Sequence, residues 1–288
     1  MSVPIGAHVS TSGHLYDAVP RAQAAGCECL QIFVGSPRQW RIVPYSDADL
    51  AEFRRRRKAA GLDPLVAHAS YLINLAAPDP ALRRRSAAVL AHTLRVMDVL
   101  QGYAAVTHIG SAPGVPWTTT RRRIAVAIQA ALAESARAML LLEGSAGGTI
   151  GGRFEELREI MDAARWPPRL GVCLDTAHLF AAGWDLRTPG GVAATMDVFD
   201  RTVGKRHLRV LHLNDSKGHL GSRLDRHENI GQGHIGRAGF RAVFAHPVLG
   251  RLPALIETPR VEHTDSDRRN IAILKRLRAA TRREYSVS

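Results

Sequence analysis

Met139-Leu-Leu-Leu-Glu143, a helical stretch over 154–164, then Leu170-Gly-Val-Cys-Leu-Asp175: two near-continuous apolar runs, each ending on a carboxylate, flank one amphipathic segment. A strand buried on both faces reads as an uninterrupted apolar run, and a helix between two such runs is the signature of a parallel βαβ unit. Outward from this unit the pattern repeats in both directions. Strand-like runs fall at 5–9, 29–33, 64–68, 104–109, 139–143, 170–175, 210–214 and 254–258. Helical stretches fall at 15–25, 47–60, 80–100, 118–137, 154–164, 190–203, 237–245 and 265–280, with Ser46 and Thr118–Thr120 as start signals for the second and fourth. Eight such units close a (β/α)8 TIM barrel, a fold of roughly 250 residues, so the 288 residues are expected to form a single domain over 1–288. An open doubly wound sheet is the alternative, but His8-Val-Ser-Thr-Ser-Gly13 after the first strand is no glycine-rich phosphate turn.

Composition narrows the setting. The apolar fraction of 45% is ordinary for a globular chain. No apolar run approaches the roughly 20 residues that span a bilayer, and the first ten residues lack a signal peptide's basic start and apolar core. Cys27, Cys29 and Cys173 cannot build a disulfide framework, so a reducing, cytoplasmic setting is expected, with no membrane partner. The net charge of +13 points to a polyanion, nucleic acid first, although Arg supplies 35 of the 39 basic residues and compositional bias explains part of that. The runs Arg54–Arg57 and Arg121–Arg123 spread around their helices rather than forming one patch.

The strand ends carry the chemistry. His68, His108, Glu143, Asp175, His212 and Glu257 close or nearly close the third to eighth strands, and a closed barrel delivers all of these ends to one rim, where the active site belongs. His178, Asp225 and His227 lie in loops above it. A single histidine at a strand end is ordinarily hydrogen-bonded structure, but a carboxylate ending an apolar run needs a partner against desolvation. Five histidines and four carboxylates converging without a thiolate suit zinc or manganese, and more than one ion. The remaining histidines, His8, His14, His92, His207, His219, His234, His246 and His263, are read as structural or surface residues.

Several segments then make a resemblance specific. Val210-Leu-His-Leu-Asn-Asp-Ser-Lys217, Asp225-Arg-His-Glu-Asn-Ile-Gly-Gln-Gly233, Gly171-Val-Cys-Leu-Asp-Thr-Ala-His178 with Phe180-Ala-Ala-Gly-Trp-Asp-Leu-Arg-Thr188, and Ile5-Gly-Ala-His-Val-Ser10 resemble signatures of the endonuclease IV family of apurinic/apyrimidinic DNA endonucleases. His68-Ala-Ser-Tyr-Leu-Ile-Asn-Leu75 and Ser36-Pro-Arg-Gln-Trp40 match as well, and the likeness runs from about residue 5 to 258. The Asp-Arg-His segment is the most specific of them.

The resemblance implies three zinc ions, with manganese an option at one or more sites. It assigns His68, His108 and Glu143 to the first ion, and Glu143, Asp175, His212 and Glu257 to the second. His178, Asp225 and His227 take the third. Glu143, as the carboxylate between the first two ions, and Asp225 and His227, facing the leaving 3′ oxygen, are the residues expected in the chemistry. The resemblance implies cleavage 5′ to an abasic site in duplex DNA, leaving a 3′ hydroxyl and a 5′ deoxyribose phosphate, and trimming of blocked 3′ ends; a monomer is expected. It brings Arg38, Tyr71 and Leu72 into the duplex to fill the gap left by the missing base. Gln39 and Trp40 point toward the same rim, and Lys217 and Arg223, with Arg187, are expected phosphate contacts. The chain departs from the family pattern at Ala69, at Gly144-Ser145 and at His234, which puts hydrogen bonds behind the metal ligands in question rather than the ligands themselves. Two rivals compete: a metal-dependent sugar isomerase or epimerase, which leaves His68, His108, Asp225 and His227 without a task, and a DNA-binding protein that has lost activity.

Overall fold

A computed structural model describes residues 3–259 and 265–285. Eight parallel strands close a barrel in chain order: β1 (Ile5–His8), β2 (Cys29–Phe33), β3 (Leu65–His68), β4 (Ala104–Thr107), β5 (Met139–Glu143), β6 (Leu170–Asp175), β7 (Leu208–His212) and β8 (Ala254–Ile256), with β8 pairing back onto β1. Around it lie α1 (Ala18–Ala24), α2 (Asp47–Ala59), α3 (Pro80–Val99), α4 (Trp117–Ala133), α5 (Phe154–Ala163), α6 (Thr176–Ala182), α7 (Pro189–Thr202), α8 (Gly236–Ala245) and α9 (Ser266–Tyr285). The (β/α)8 expectation therefore holds, and each expected strand and helix has its counterpart.

Period two in the strands builds both the core and the site. Side chains two apart share a face, and the inward row stacks Val66, Val106, Leu141, Cys173, Val210 and Leu255 as a dry layer. Two residues further along come His68, His108, Glu143, Asp175, His212 and Glu257. Apolar filling sits below and ligand-type residues sit above, on one continuous face. Gly6 belongs to the same row: a Cβ there would stand 1.9 Å from the Cys29 carbonyl oxygen, so only glycine lets β1 approach β2 this closely. The outward row packs against the helices around Ile5, Leu30, Leu65, Leu140, Leu170 and Ile256, all buried.

Several details differ from the sequence expectation. Ser46 does cap α2 as expected, accepting from Asp49 N at 3.1 Å, and the differences lie elsewhere. The threonines 118–120 do not cap α4: the helix begins at Trp117 after Pro116, whose carbonyl receives the amides of Thr119 and Thr120. The stretch 15–25 is split into a 3-10 turn, Leu15–Asp17, and α1. A short helix, α6, follows β6 directly because Asp175 caps it, and a two-residue antiparallel ribbon pairs Asp215–Ser216 with His227–Glu228. His263 lies outside the described residues. Among the described residues no helix is long and apolar enough to cross a membrane.

Candidate metal centre

Glu143 is the hub. Fully buried at the end of β5, it places Oε2 3.2 Å from His68 Nε2 and 3.3 Å from His108 Nδ1. Its Oε1 lies 2.9 Å from His212 Nδ1 and 3.6 Å from His178 Nδ1. Donor atoms gather into three groups that could hold a metal ion: His68, His108 and Glu143; Glu143, Asp175, His212 and Glu257; and Asp175, His178 and His227. Asp225 stands at the mouth, its Oδ1 3.1 Å from His178 Nε2 and 3.6 Å from His227 Nε2. All nine residues singled out in the sequence thus meet at one end of the barrel. The third group differs in two respects from the expected set: Asp175 takes a place in it, and Asp225 stands beside it as an exposed neighbour rather than within it.

The imidazoles are oriented by their far nitrogens. Carbonyl oxygens only accept, so Nδ1 of His68 donates to Ala69 O (2.7 Å), Nδ1 of His178 to Gly144 O (2.9 Å), and Nδ1 of His227 to Glu257 O (3.1 Å). Once the ring is neutral, each would offer Nε2 as a lone pair facing inward, the arrangement typical of a metal-ligating histidine. Two of these acceptors belong to residues that depart from the family pattern. Because Ala69 and Gly144 act through their backbone, the changed side chains leave those hydrogen bonds intact. His234 is exposed and donates its own amide to Ser216 O.

Electrostatics follow from burial. Burial alone would raise the Glu143 carboxyl, but His108 and His212 hold it well below the carboxylate range. Glu257 behaves likewise under His212 and His8. Burial pushes His178 down, yet Asp175 and Asp225 carry it up to about 10. Among the described residues, the ion pairs of Glu143, Asp175, Asp225 and Glu257 are all with histidines. No fixed Lys or Arg charge among them neutralises the four carboxylates, which leaves that task to imidazolium or to cations. Oxygen and imidazole donors without thiolate fit divalent zinc or manganese.

Sequence reasoning missed four residues here. Gln31, fully buried, accepts from His212 Nε2 at 2.9 Å and donates to Glu257 Oε1 at 2.5 Å. His8 Nδ1 lies 3.2 Å from Glu257 Oε1 and 3.0 Å from Gln31 Nε2. Asn214 donates to Asp175 Oδ2 at 2.6 Å and accepts from Glu257 N at 2.7 Å. Thr176 Oγ1 donates to Asn214 O at 2.7 Å. The signal that finds the first two is the strand period: His8 follows Gly6, and Gln31 follows Cys29, by two residues on the inward face.

The expected nucleic-acid residues divide. Arg38 and Tyr71 line one 760 Å³ cleft with His8, Ser36, Phe33 and Glu257. Tyr71 is 52% exposed, and its ring lies 5.2 Å from Phe33 and 5.5 Å from His68; burial of its base pushes the phenol up to about 12, so it stays a neutral hydroxyl. The loops carrying Arg38 and Tyr71 are joined by Tyr71 N and Ser70 Oγ, both donating to Pro37 O. Gln39 is exposed and Leu72 half-buried. Trp40 packs under Arg85, 5.5 Å from its ring centroid. Lys217 and Arg223 are exposed on the segment between the two ribbon strands. Arg187 is tied to Asp185 at 2.8 Å. In the Arg54–Arg57 run, Arg57 is buried while Arg55 and Arg56 bind Glu52, so the run forms no single patch.

Comparison with known proteins identifies the family. A family model described as a xylose isomerase-like TIM barrel matches residues 19–278. Probable endonuclease 4 of Methanosphaerula palustris is 41% identical over 282 residues, 96% of this chain and 97% of that protein. The crystal structure of endonuclease IV from Thermus thermophilus superposes with a TM-score of 0.85 at 37% identity, covering 96% of this chain and 99% of the other. A D-tagatose 3-epimerase-like protein also superposes, with a TM-score of 0.74 over 99% of this chain and all of the other, but at 16% identity it shares the fold alone. On the strength of identity and superposition across nearly its whole length, the chain belongs to the endonuclease IV family of nucleases.

Proposed function

We propose that the chain is a zinc-dependent DNA-repair nuclease that hydrolyses the phosphodiester 5′ to an abasic site in duplex DNA, leaving a 3′ hydroxyl and a 5′ deoxyribose phosphate, and that also trims blocked 3′ ends. The observation that carries this reading is Glu143, one buried carboxylate shared between two donor groups with four imidazoles around it. His68, His108 and Glu143 would hold one ion, Glu143, Asp175, His212 and Glu257 a second, and His178, Asp225 and His227, with Asp175 alongside, a third. Divalent cations, when bound, supply Lewis acidity toward a phosphoryl oxygen and acidify water at neutral pH.

The chain's own residues do the rest. Glu143 keeps its charge at neutral pH and ties two donor groups to one spacing. Asp225 and His227, at the exposed mouth, are the donors a leaving 3′ oxygen would meet first. Arg38, rising from the cleft beside Tyr71, can hold a backbone phosphate. Tyr71, with Leu72 behind it, offers an aromatic face to the gap where a base is missing. A duplex without a base edge is read by deformability, and extrusion of the abasic sugar is cheapest there. Lys217 and Arg223 extend the basic rim along the strand and Gln39 adds a neutral polar contact; Arg187, held by Asp185, and Trp40, packed under Arg85, have a smaller part. The chain works as one catalytic unit and as a monomer, in the cytoplasm where its DNA lies.

The sugar isomerase alternative uses only Glu143, Asp175, His212 and Glu257. It explains neither the two further donor groups nor the charge of +13. The deciding experiment incubates the protein with a duplex carrying one abasic analogue, with and without a chelator, and sizes the products. Chelator-sensitive cleavage on the 5′ side with extendable 3′ ends is expected. Equal cleavage of an intact duplex, or none of either, counts against it.

A further inference from the structure

Asp215 is fully buried three residues beyond β7, and no Lys, Arg or His balances its charge among its hydrogen bonds. Five backbone amides do so instead. Oδ2 accepts from Gly231 N (2.8 Å) and Gly233 N (3.1 Å). Oδ1 accepts from Ser216 N (2.9 Å), Ile235 N (2.9 Å) and Gly236 N (3.3 Å). The last two open α8, so the carboxylate also sits at the positive end of that helix. A carboxylate with several amide donors is a strong, geometrically demanding anchor.

What it anchors is the chain that leaves His227. The ribbon pairs Ser216 with His227 and Asp215 with Glu228. Asn270 on α9 accepts from Ile230 N at 2.9 Å and donates to Asn229 Oδ1 at 2.7 Å. Asp215 then fixes 231–236, and His234 N closes onto Ser216 O. The fit leaves no slack: a methyl group at Gly233 would stand 2.5 Å from Ser216 O and 2.6 Å from Asp215 Oδ1. The first two donor groups hang on barrel strands, but the third depends on where this loop holds His227 and, two residues before it, Asp225.

We infer that Asp215 is a positioning residue for the third donor group: its carboxylate, which belongs to none of the three groups, fixes the loop that carries Asp225 and His227 and thereby sets that group's affinity for its ion. This rests on the reading that the group binds a cation. Two substitutions test it. Asp215→Asn keeps one acceptor but turns an amide toward two of the N–H groups. Gly233→Ala disturbs the same latch from the other side without changing charge.

Each variant and the wild type are loaded with zinc, passed over a weak chelator and assayed by mass spectrometry for zinc per chain. Backbone deuterium exchange of 229–236 is followed on the metal-free proteins. The expected result is three zinc for the wild type and two for each variant. Half-saturation of the last ion should move about 10- to 100-fold higher and be recovered with excess zinc, and exchange across 229–236 should be faster. Wild-type protein with three zinc and both variants with three at unchanged half-saturation would overturn the inference. So would loss of all three ions together in both variants, which marks a general structural role. Wild-type protein holding fewer than three zinc overturns the underlying reading, a failure visible before any variant is made.

Discussion

Gln31 and His212 are joined by one hydrogen bond of 2.9 Å, from imidazole Nε2–H to amide oxygen, and that bond turns His212 Nδ1 toward Glu143 at the same distance. The amide is itself fixed, because its nitrogen donates to Glu257 Oε1, and exchanging nitrogen and oxygen would set acceptor against acceptor there and donor against donor at His212 Nε2. One buried side chain therefore sets both the tautomer of an imidazole and the position of a carboxylate in the central donor group.

Replacing it should weaken metal binding without unfolding the barrel. Gln31→Leu, which keeps the volume, is expected to lower the affinity of the central group about 10- to 100-fold. Competition with a chromogenic chelator reads this, and unchanged zinc affinity would show that His212 needs no such support.

Zinc should displace a proton on binding. His178 is held up at about 10 in the metal-free protein, above its ordinary 6.5, by Asp175 and Asp225 after burial has pulled the other way. The protonated form therefore prevails at neutral pH, its contribution to folding is complete below 6.5, and it fades as pH rises toward 10. Zinc affinity should accordingly climb with pH over that range. Calorimetry at about pH 7.5 in buffers of different ionisation enthalpy is expected to show release of about one proton per chain from this residue, absent in His178→Ala.

On the opposite end of the barrel, Arg278 of α9 holds Glu28 at 2.7 Å, and Lys275 stands 3.2 Å from the same carboxylate. Partial burial pushes the Glu28 carboxyl up, but Arg278, the Ile5 amide and Lys275 bring it down to about 2. A depressed acid stabilises the fold above its ordinary 4.5, and this contribution is lost as pH falls toward 2. Arg278→Ala should cost about 1–2 kcal/mol at neutral pH, discounted for the partial exposure of the pair. The difference between wild type and variant should shrink between pH 4.5 and 2, read from urea midpoints with unchanged slope.

Arg38 and Tyr71 share a cleft but should fail differently. Arg38→Ala is expected to raise KM for an abasic duplex and to reduce the salt slope of binding by about one. Tyr71→Ala should lose stacking of about 1–3 kcal/mol, roughly 5- to 150-fold in binding, with the salt slope unchanged. Identical salt behaviour in both variants would show that Arg38 touches no phosphate.

The barrel was legible in the sequence because buried parallel strands leave unbroken apolar runs, and the six strand-end ligand types stood out as charged or imidazole residues closing them. His178, Asp225 and His227 were legible as loop residues of the same kind. Gln31 and His8 were not: an amide and one histidine among thirteen carry no signal by type, and only their place two residues after Cys29 and Gly6 puts them on the inward face. The ribbon and α6 were hidden for another reason. Two-residue strands have no periodicity, and α6 exists because Asp175 Oδ1 accepts from Ala177 N and His178 N, a capping role that its ligand-type reading obscured. Asp215 looked like one more acidic residue until its five amide partners were in place.

Crystals of the zinc-loaded protein, measured on both sides of the zinc absorption edge, would locate the cations themselves. Three anomalous peaks are expected, each enclosed by one donor group and two of them flanking Glu143. A single peak, or peaks remote from Glu143, would contradict the reading of this rim as a three-ion centre.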